Sequence, residues 1–486
     1  MSVFKKLFKQ TFIYGLATVL PRALAIFLVP LYVLVLGKEQ YGVYASLMAF
    51  LILGNVLLSY GMETAFFRFV NKDNAPKHLV QSTALTSLAI TTLLFLGVTL
   101  LARKPLAQWL EFDPAYVTYG LFILALDALA VIPFVWYRVN EKPLRYATVK
   151  IINVCINLGF NLFFFLVLPG WAQSAPDSFW GTINLTENKV AYVFIANLLA
   201  SGITLLILSP LYAKIKFRFS AVIWKQMLRY AIPVLIAGIA FSINEAFDKI
   251  LLKYLLPSDV AEAQVGVYAA CYKLGVFMTL FATAFRLGIE PFFFNHAKEA
   301  NAKKTYAAIT KYFTVFGSFI LLFVVVYLDV FKRLLIPDSS FWEALYIVPI
   351  ILLANLCLGI YHNLSVWYKV TDRTRFGAFI SVIGAIITLA INFVFIPSLG
   401  YTASAVATLA AYGTMMVLSY LLGRIYYAVP YELKKIGGYL LLSVVFSVLS
   451  FYIFDGNLWM GTGLLFVFAL LTYFSERKEI RQILKR

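Results

Sequence analysis

Fourteen apolar stretches alternate with short gaps along this chain, and every second gap is rich in Lys and Arg. Each stretch has roughly the 20 residues that a helix needs to cross the hydrocarbon core of a bilayer. They fall near 12–36, 41–66, 79–101, 116–137, 146–168, 190–212 and 229–254, then 265–288, 306–328, 343–367, 376–396, 402–423, 436–454 and 457–474. Lipid offers no hydrogen bonds, so a spanning segment must satisfy its own backbone, and helices are expected throughout. Thirty of the 41 basic residues occupy one set of gaps, Lys150 and Lys311 being counted among them at the span edges. The opposite set holds only Lys38, Arg103, Lys104, Lys189, Lys332 and Arg333. Basic loops stay on the cytoplasmic side during insertion, which predicts an even number of crossings with both termini inside.

The chain is 62% hydrophobic and only 13% charged, against about 45–50% and about 25% in soluble domains. A formal net charge of +18 is therefore read by its placement. Basic loops facing anionic inner-leaflet lipids account for it, and no nucleic-acid partner is implied. Lys5, Lys6 and Lys9 precede an apolar run containing Ala23-Leu24-Ala25, the pattern of a signal peptide. The run continues to Leu36, however, so cleavage would cut one span in two, and an uncut chain is expected. Residues 1–10 instead read as an interfacial amphipathic helix, with Phe4, Leu7 and Phe8 on one face and Lys5 and Lys9 on another. Cys155, Cys271 and Cys357 fall inside spans and read as small buried thiols rather than a disulfide framework.

An internal repeat organises the chain. Gln40-Tyr41-Gly42-Val43-Tyr44-Ala45 returns 224 residues later as Gln264-Val265-Gly266-Val267-Tyr268-Ala269, each copy opening the second span of a six-span block. A looser echo joins Asn161-Leu162-Phe163-Phe164 to Asn392-Phe393-Val394-Phe395, both followed by a proline. Six crossings return the chain to its starting side, so the two blocks are parallel repeats, an arrangement found among secondary transporters. The expected domains are an N-terminal lobe over 11–213, a C-terminal lobe over 214–428, and two further spans with a basic tail over 429–486. No gap reaches the 50 residues or so of a soluble domain, so any function lies within the membrane or at its faces.

Charges inside a bilayer are costly and mark candidate sites. Arg22, beside Pro21, lies about ten residues and roughly 15 Å into the first span. Its guanidinium suits a phosphate, which it can grip with two parallel hydrogen bonds. Lys273 lies roughly 12 Å into the eighth span with no acid in that span. The seventh span carries Glu245, Asp248, Lys249 and Lys253; Glu245 and Lys249 are spaced to pair, and Lys253 is expected to reach the outer interface. Arg286 with Glu290, and Glu63 with Arg68, read as local pairs at inner span ends. Asp127 is open to two readings, a proton or sodium site or a partner for Arg22. His78, His296 and His362 are isolated, no metal or catalytic set is expected, and the absence of a phosphate-binding glycine loop argues against ATP hydrolysis.

Asp248-Lys249-Ile250-Leu251-Leu252, Gly266-Val267-Tyr268-Ala269 and Tyr272-Lys273-Leu274 resemble segments of bacterial polysaccharide-biosynthesis flippases. So do Gly42-Val43-Tyr44-Ala45, Gly61-Met62-Glu63-Thr64 and Phe66-Phe67-Arg68-Phe69. These flippases of O-antigen, capsule and exopolysaccharide units belong to the multidrug/oligosaccharidyl-lipid/polysaccharide exporter superfamily. The resemblance implies an all-α membrane protein of two six-helix lobes in a V, with two extra C-terminal helices that could shelter a lipid tail. It also implies alternating access that carries a polyprenyl-diphosphate oligosaccharide across the bacterial cytoplasmic membrane, without a cofactor beyond H+ or Na+ coupling. Glycosyltransferases and a polysaccharide polymerase would be the neighbouring partners. Arg22, Lys249, Lys273 and Arg286 would then hold the diphosphate, and Asp127, Glu245, Asp248, Glu63, Arg68 and Glu290 would be coupling or ion-pair groups. Relatives place several arginines in the cavity, whereas this chain supplies two, plus lysines. The competing expectations are a cation-coupled multidrug antiporter of the same superfamily and a membrane polymerase or ligase.

Overall fold

A computed structural model describes residues 3–71, 76–185, 187–213, 215, 218–297, 299 and 301–484. Met1 and Ser2, and the side chains over the rest of the 1–10 segment, lie outside the described residues. The amphipathic face expected there therefore does too. Helices account for nearly all described residues, and none of these is in a strand. Thirteen helices are long and apolar enough to cross a membrane. Leu94, Leu206, Val394 and Phe466 are each more than 60% exposed on them, which water would penalise and hydrocarbon chains would not.

The first expected span is one place where the structure departs from fourteen unbroken helices. Helix Val3–Ile26 stops, Phe27 turns, and a second helix runs over Leu28–Ser59. Pro30 explains the break: it has no N–H to give Ile26, and its ring crowds that carbonyl. Pro21 sits inside the first helix without ending it. The turn between the first and second spans is a single residue, Gly37, at φ +69° and ψ 177°, a backbone state open to glycine.

The chain divides into two compact units, Met1–Gly266 and Val267–Arg486. In the first, helix Lys189–Ala213 packs against Pro114–Val139 and Pro143–Leu162, and Val3–Ile26 lies on the latter. Helix Ala221–Leu255 packs against Leu28–Ser59 and Met62–Val70, so this packing unit extends past residue 213. Met62, Phe66, Val80, Val135 and Met227 belong to one of its buried apolar clusters. In the second unit, Val348–Leu364 and Arg375–Leu399 both pack on Tyr401–Tyr426, around the fully buried Trp367.

The repeated hexapeptide has a structural counterpart. A Cβ on Gly42 would lie 1.8 Å from the carbonyl oxygen of Glu262, and one on Gly266 would lie 1.9 Å from that of Lys38. Gly42 and Lys38 lie 224 residues before Gly266 and Glu262, so the second contact is the first with the roles exchanged and the two helices cross with local two-fold symmetry. Small residues allow such close backbone approach between helices in lipid. The looser echo holds as well. Asn161 accepts from Tyr32 Oη at 2.8 Å and donates to Asn157 O, while Asn392 accepts from Ser404 Oγ at 2.7 Å and donates to Thr388 O. Each asparagine ties its helix to a neighbour from a buried position.

The last two spans are fixed by charge as well as by packing. Lys311, fully buried in helix Ala302–Val326, reaches Glu432 at 2.8 Å and Glu476 at 3.0 Å. Lys435 bridges the same two carboxylates at 3.1 and 3.0 Å, and Tyr439 donates to Glu476 at 2.6 Å. Lys311 is thus a buried helix residue, not a solvated loop charge.

Candidate functional site

Two polar sites stand out in the helical core, one in each unit. In the first unit a cavity of about 390 Å³ opens among helices Leu28–Ser59, Pro114–Val139, Pro143–Leu162 and Lys189–Ala213. Asp127 lines it, accepting from Ser201 Oγ at 2.7 Å and bonded to Asn55. Lys150 lines the same cavity, its ammonium 4.3 Å above the Phe134 ring. Asn153 donates to Thr204 at 2.9 Å, fixing two further polar groups of the wall. At the edge Glu63 accepts from Arg138 at 2.9 Å, both about half exposed.

Lys150 is the residue that sequence reasoning assigned elsewhere, as a cytoplasmic loop charge. It lies eight residues into helix Pro143–Leu162, about 12 Å along its axis, and that depth was the available signal. Cavity size, convergent polar groups and a carboxylate with an ammonium give the ingredients of a site that binds or exchanges a small cation.

In the second unit Arg286 Nη1 lies 3.3 Å from His362 Nε2, and Glu290 pairs with Lys369 at 2.6 Å. These four side chains surround a small pocket at one end of helix Val276–Asn295.

Several expected pairs are therefore exchanged for partners on other helices. Glu290 takes Lys369, and Glu63 takes Arg138. Arg68 instead lays its guanidinium 4.3 Å from the centre of the Tyr230 ring. Lys249 pairs with Asp248 at 2.9 Å, and Glu245 is exposed. Lys253 sits in the last turn of its helix, among groups of the charge-poor gaps. It is buried, 3.3 Å from Glu262 and 3.2 Å from the carbonyl of Glu111, above the Phe112 ring. A carboxylate within reach lowers the cost of burying the ammonium. Of the expected phosphate ligands, Arg22 and Lys273 are exposed on the protein surface. Lys273 opens a 3-10 turn over Lys273–Gly275 that interrupts its span. Cys271 and Cys357 are buried, while Cys155 is exposed.

Comparison with known proteins places this architecture. A lipid II flippase, MurJ, in an inward-closed conformation superimposes with a TM-score of 0.72 at 14% identity, covering 95% of this chain and 99% of that one. An inward-facing multidrug resistance MATE family transporter of the MOP superfamily gives 0.62 at 14%, covering 88% and 95%. A MOP superfamily transporter from Pyrococcus furiosus, described as having a binding pocket of reversed polarity, gives 0.56 at 16%, covering 86% and 94%. At these identities the likeness is one of fold. No curated protein matches the sequence. The family model for polysaccharide biosynthesis proteins matches residues 7–285. The chain, a multi-pass helical membrane protein with the fold of these transporters, belongs to the polysaccharide biosynthesis protein family.

Proposed function

We propose that this protein is a flippase that carries a polyprenyl-diphosphate-linked oligosaccharide from the inner to the outer leaflet of the bacterial cytoplasmic membrane by alternating access. Its termini face the cytoplasm, and its product feeds surface polysaccharide such as O-antigen, capsule or exopolysaccharide. The observation that carries this reading is the match to a polysaccharide-biosynthesis family in a chain whose fold extends over a lipid-linked-precursor flippase almost from end to end. The multidrug transporter covers less of the chain, 88% against 95%. The helices Leu433–Val448 and Leu458–Leu484, anchored through Lys311 and Lys435, supply the surface for a lipid tail that a soluble drug does not need.

In this reading Arg22, Lys249, Lys273 and Arg286 serve the diphosphate. The cavity around Asp127 is the coupling site. A resident ammonium at Lys150 competes with a sodium ion for the carboxylate, so a proton is the fitting coupling ion. The test is depletion of the protein in its own cell. Lipid-linked oligosaccharide should accumulate and surface polysaccharide should disappear, with drug susceptibility unchanged. Raised susceptibility to cationic drugs with normal surface polysaccharide would favour the multidrug antiporter instead.

A further inference from the structure

A second, larger cavity of about 760 Å³ lies in the unit Val267–Arg486 and belongs to neither polar site. It forms where helix Ala302–Val326 ends and the short helix Leu328–Leu335 and the 3-10 segment Ser339–Ile347 follow. The turn Phe454–Asn457 between the last two spans closes it. All these elements sit at one end of their helices. By the distribution of basic residues that end faces outward, since Lys332 and Arg333 are in the charge-poor set of gaps.

The lining has an unusual combination. Trp342, Tyr346 and Tyr452 present aromatic surface, and Glu343 and Asp455 are exposed carboxylates at its edge. Asp329 adds a third carboxylate, ion-paired with Lys332, whose ammonium also rests 4.3 Å from the Trp342 ring centre. The bond from Lys332 holds the Asp329 carboxyl below its ordinary range, so it stays ionised. Arg333 also pairs with Asp329 at 2.9 Å, so three carboxylates against two cations leave the cavity with one net negative charge, which disfavours a diphosphate or an anionic lipid headgroup.

The aromatic walls are fixed in place. Trp342 Nε1 donates to the carbonyl of Ile336 at 2.8 Å, Tyr346 shares a 2.7 Å hydrogen bond with Thr402, and Tyr452 donates to the carbonyl of Tyr346 at 3.1 Å. An interfacial aromatic belt would turn such rings toward lipid. Here Trp342 and Tyr346 are half-buried and line a cavity instead. Sugar rings match both halves of this surface. Their C–H faces stack on aromatic rings, and their hydroxyls donate to carboxylates. The volume also lies in the range of ligand pockets, roughly 300–1,000 Å³.

The geometry points to an outward-facing oligosaccharide site, built from Trp342, Tyr346, Tyr452, Glu343 and Asp455, that holds neutral or amine-bearing sugar units of the cargo apart from its diphosphate. This deepens the flippase reading and rests on it for the identity of the sugar, but it is tested by binding and not by transport. The purified full chain in phosphatidylcholine nanodiscs would be titrated, by equilibrium dialysis, with repeat-unit oligosaccharide freed of its lipid and diphosphate by mild acid. Glycerophosphoethanolamine would be the second probe.

The expected result is saturable binding of the free oligosaccharide and none of the headgroup analogue. Glu343→Gln combined with Asp455→Asn should weaken binding at least tenfold, and Trp342→Ala should do the same while Trp342→Phe retains most of it. The two carboxylate substitutions are at exposed positions, so they keep the test valid should Trp342→Ala fail to fold. No binding of the free oligosaccharide, or binding indifferent to the carboxylate pair, would overturn the proposal, and binding of glycerophosphoethanolamine in its place would assign the cavity to lipid. Each of these can occur with surface polysaccharide export intact, which separates failure of this site from failure of the flippase reading.

Discussion

Replacing Lys311 by Met keeps the length of the side chain and removes its charge from a site with no solvent access. Glu476, itself 2% exposed, then loses the contact at 3.0 Å but keeps Lys435 at 3.0 Å and the Tyr439 hydroxyl at 2.6 Å. Breaking a buried ion pair from one side costs about 3–5 kcal/mol, because the remaining charge is left under-compensated. With Lys435 still in place, the lower end of that range, about 3 kcal/mol, is the expected loss. Lys435→Met should cost less, about 1 kcal/mol, since its side chain is 31% exposed and water can replace part of the interaction. Adding Glu476→Gln to Lys311→Met removes the orphaned charge and leaves the Glu432–Lys435 pair. The double variant should therefore be more stable than the sum of the two single losses implies, by roughly 1–3 kcal/mol. The assay is reversible unfolding in mixed detergent micelles, with SDS as denaturant, for wild type, both singles and the double. A loss below about 1 kcal/mol for Lys311→Met, or strict additivity in the cycle, would show that the network behaves as a solvated surface pair and would refute the reasoning.

Arg22→Ala should abolish surface polysaccharide at normal levels of membrane-inserted protein, and Arg22→Lys should retain part of it, because charge survives but the two-pronged geometry does not; normal export per inserted molecule in Arg22→Ala would move the phosphate role to Lys273. Gly42→Ala and Gly266→Ala each force a methyl group into a backbone carbonyl, so each should destabilise the protein by about 1–3 kcal/mol, and unchanged SDS unfolding in either would contradict the close crossing. Asp127→Asn should remove the dependence of export on the proton gradient, measured as surface polysaccharide with and without a protonophore, and an undiminished dependence would take coupling away from this cavity.

Spans were legible in the sequence because hydropathy alone decides which segments enter lipid, and most of them fall on the observed helices. The break in the first span has a local cause. Pro21 looked like the disruptive residue, yet the break falls at Phe27, six residues after Pro21 and at the position set by Pro30. The repeat was legible because both of its glycines are required by the same close crossing. Ion pairs were the least legible feature. Sequence spacing offered Glu63–Arg68 and Arg286–Glu290, while the folded chain offered Arg138 and Lys369 from neighbouring helices. A pair across helices brings the charges head-on, whereas an i,i+4 pair must bend along one surface, and nothing in a single sequence reports which helices adjoin. Lys150 and Lys311 were hidden for a related reason: a lysine one to three turns inside a helix looks like a loop charge until the carboxylates facing it are known.

Movement of a lipid-linked oligosaccharide between leaflets is the central claim, and it can be measured directly in vesicles. Purified protein would be reconstituted with a polyprenyl-diphosphate oligosaccharide, and the fraction of sugar open to an added impermeant glycosidase followed with time. Glycosidase should reach only about half of the sugar in protein-free vesicles and nearly all of it when the protein is present, and Arg22→Ala should return the value to the protein-free level. Equal accessibility with and without the protein, in vesicles shown to contain folded protein, would contradict the account.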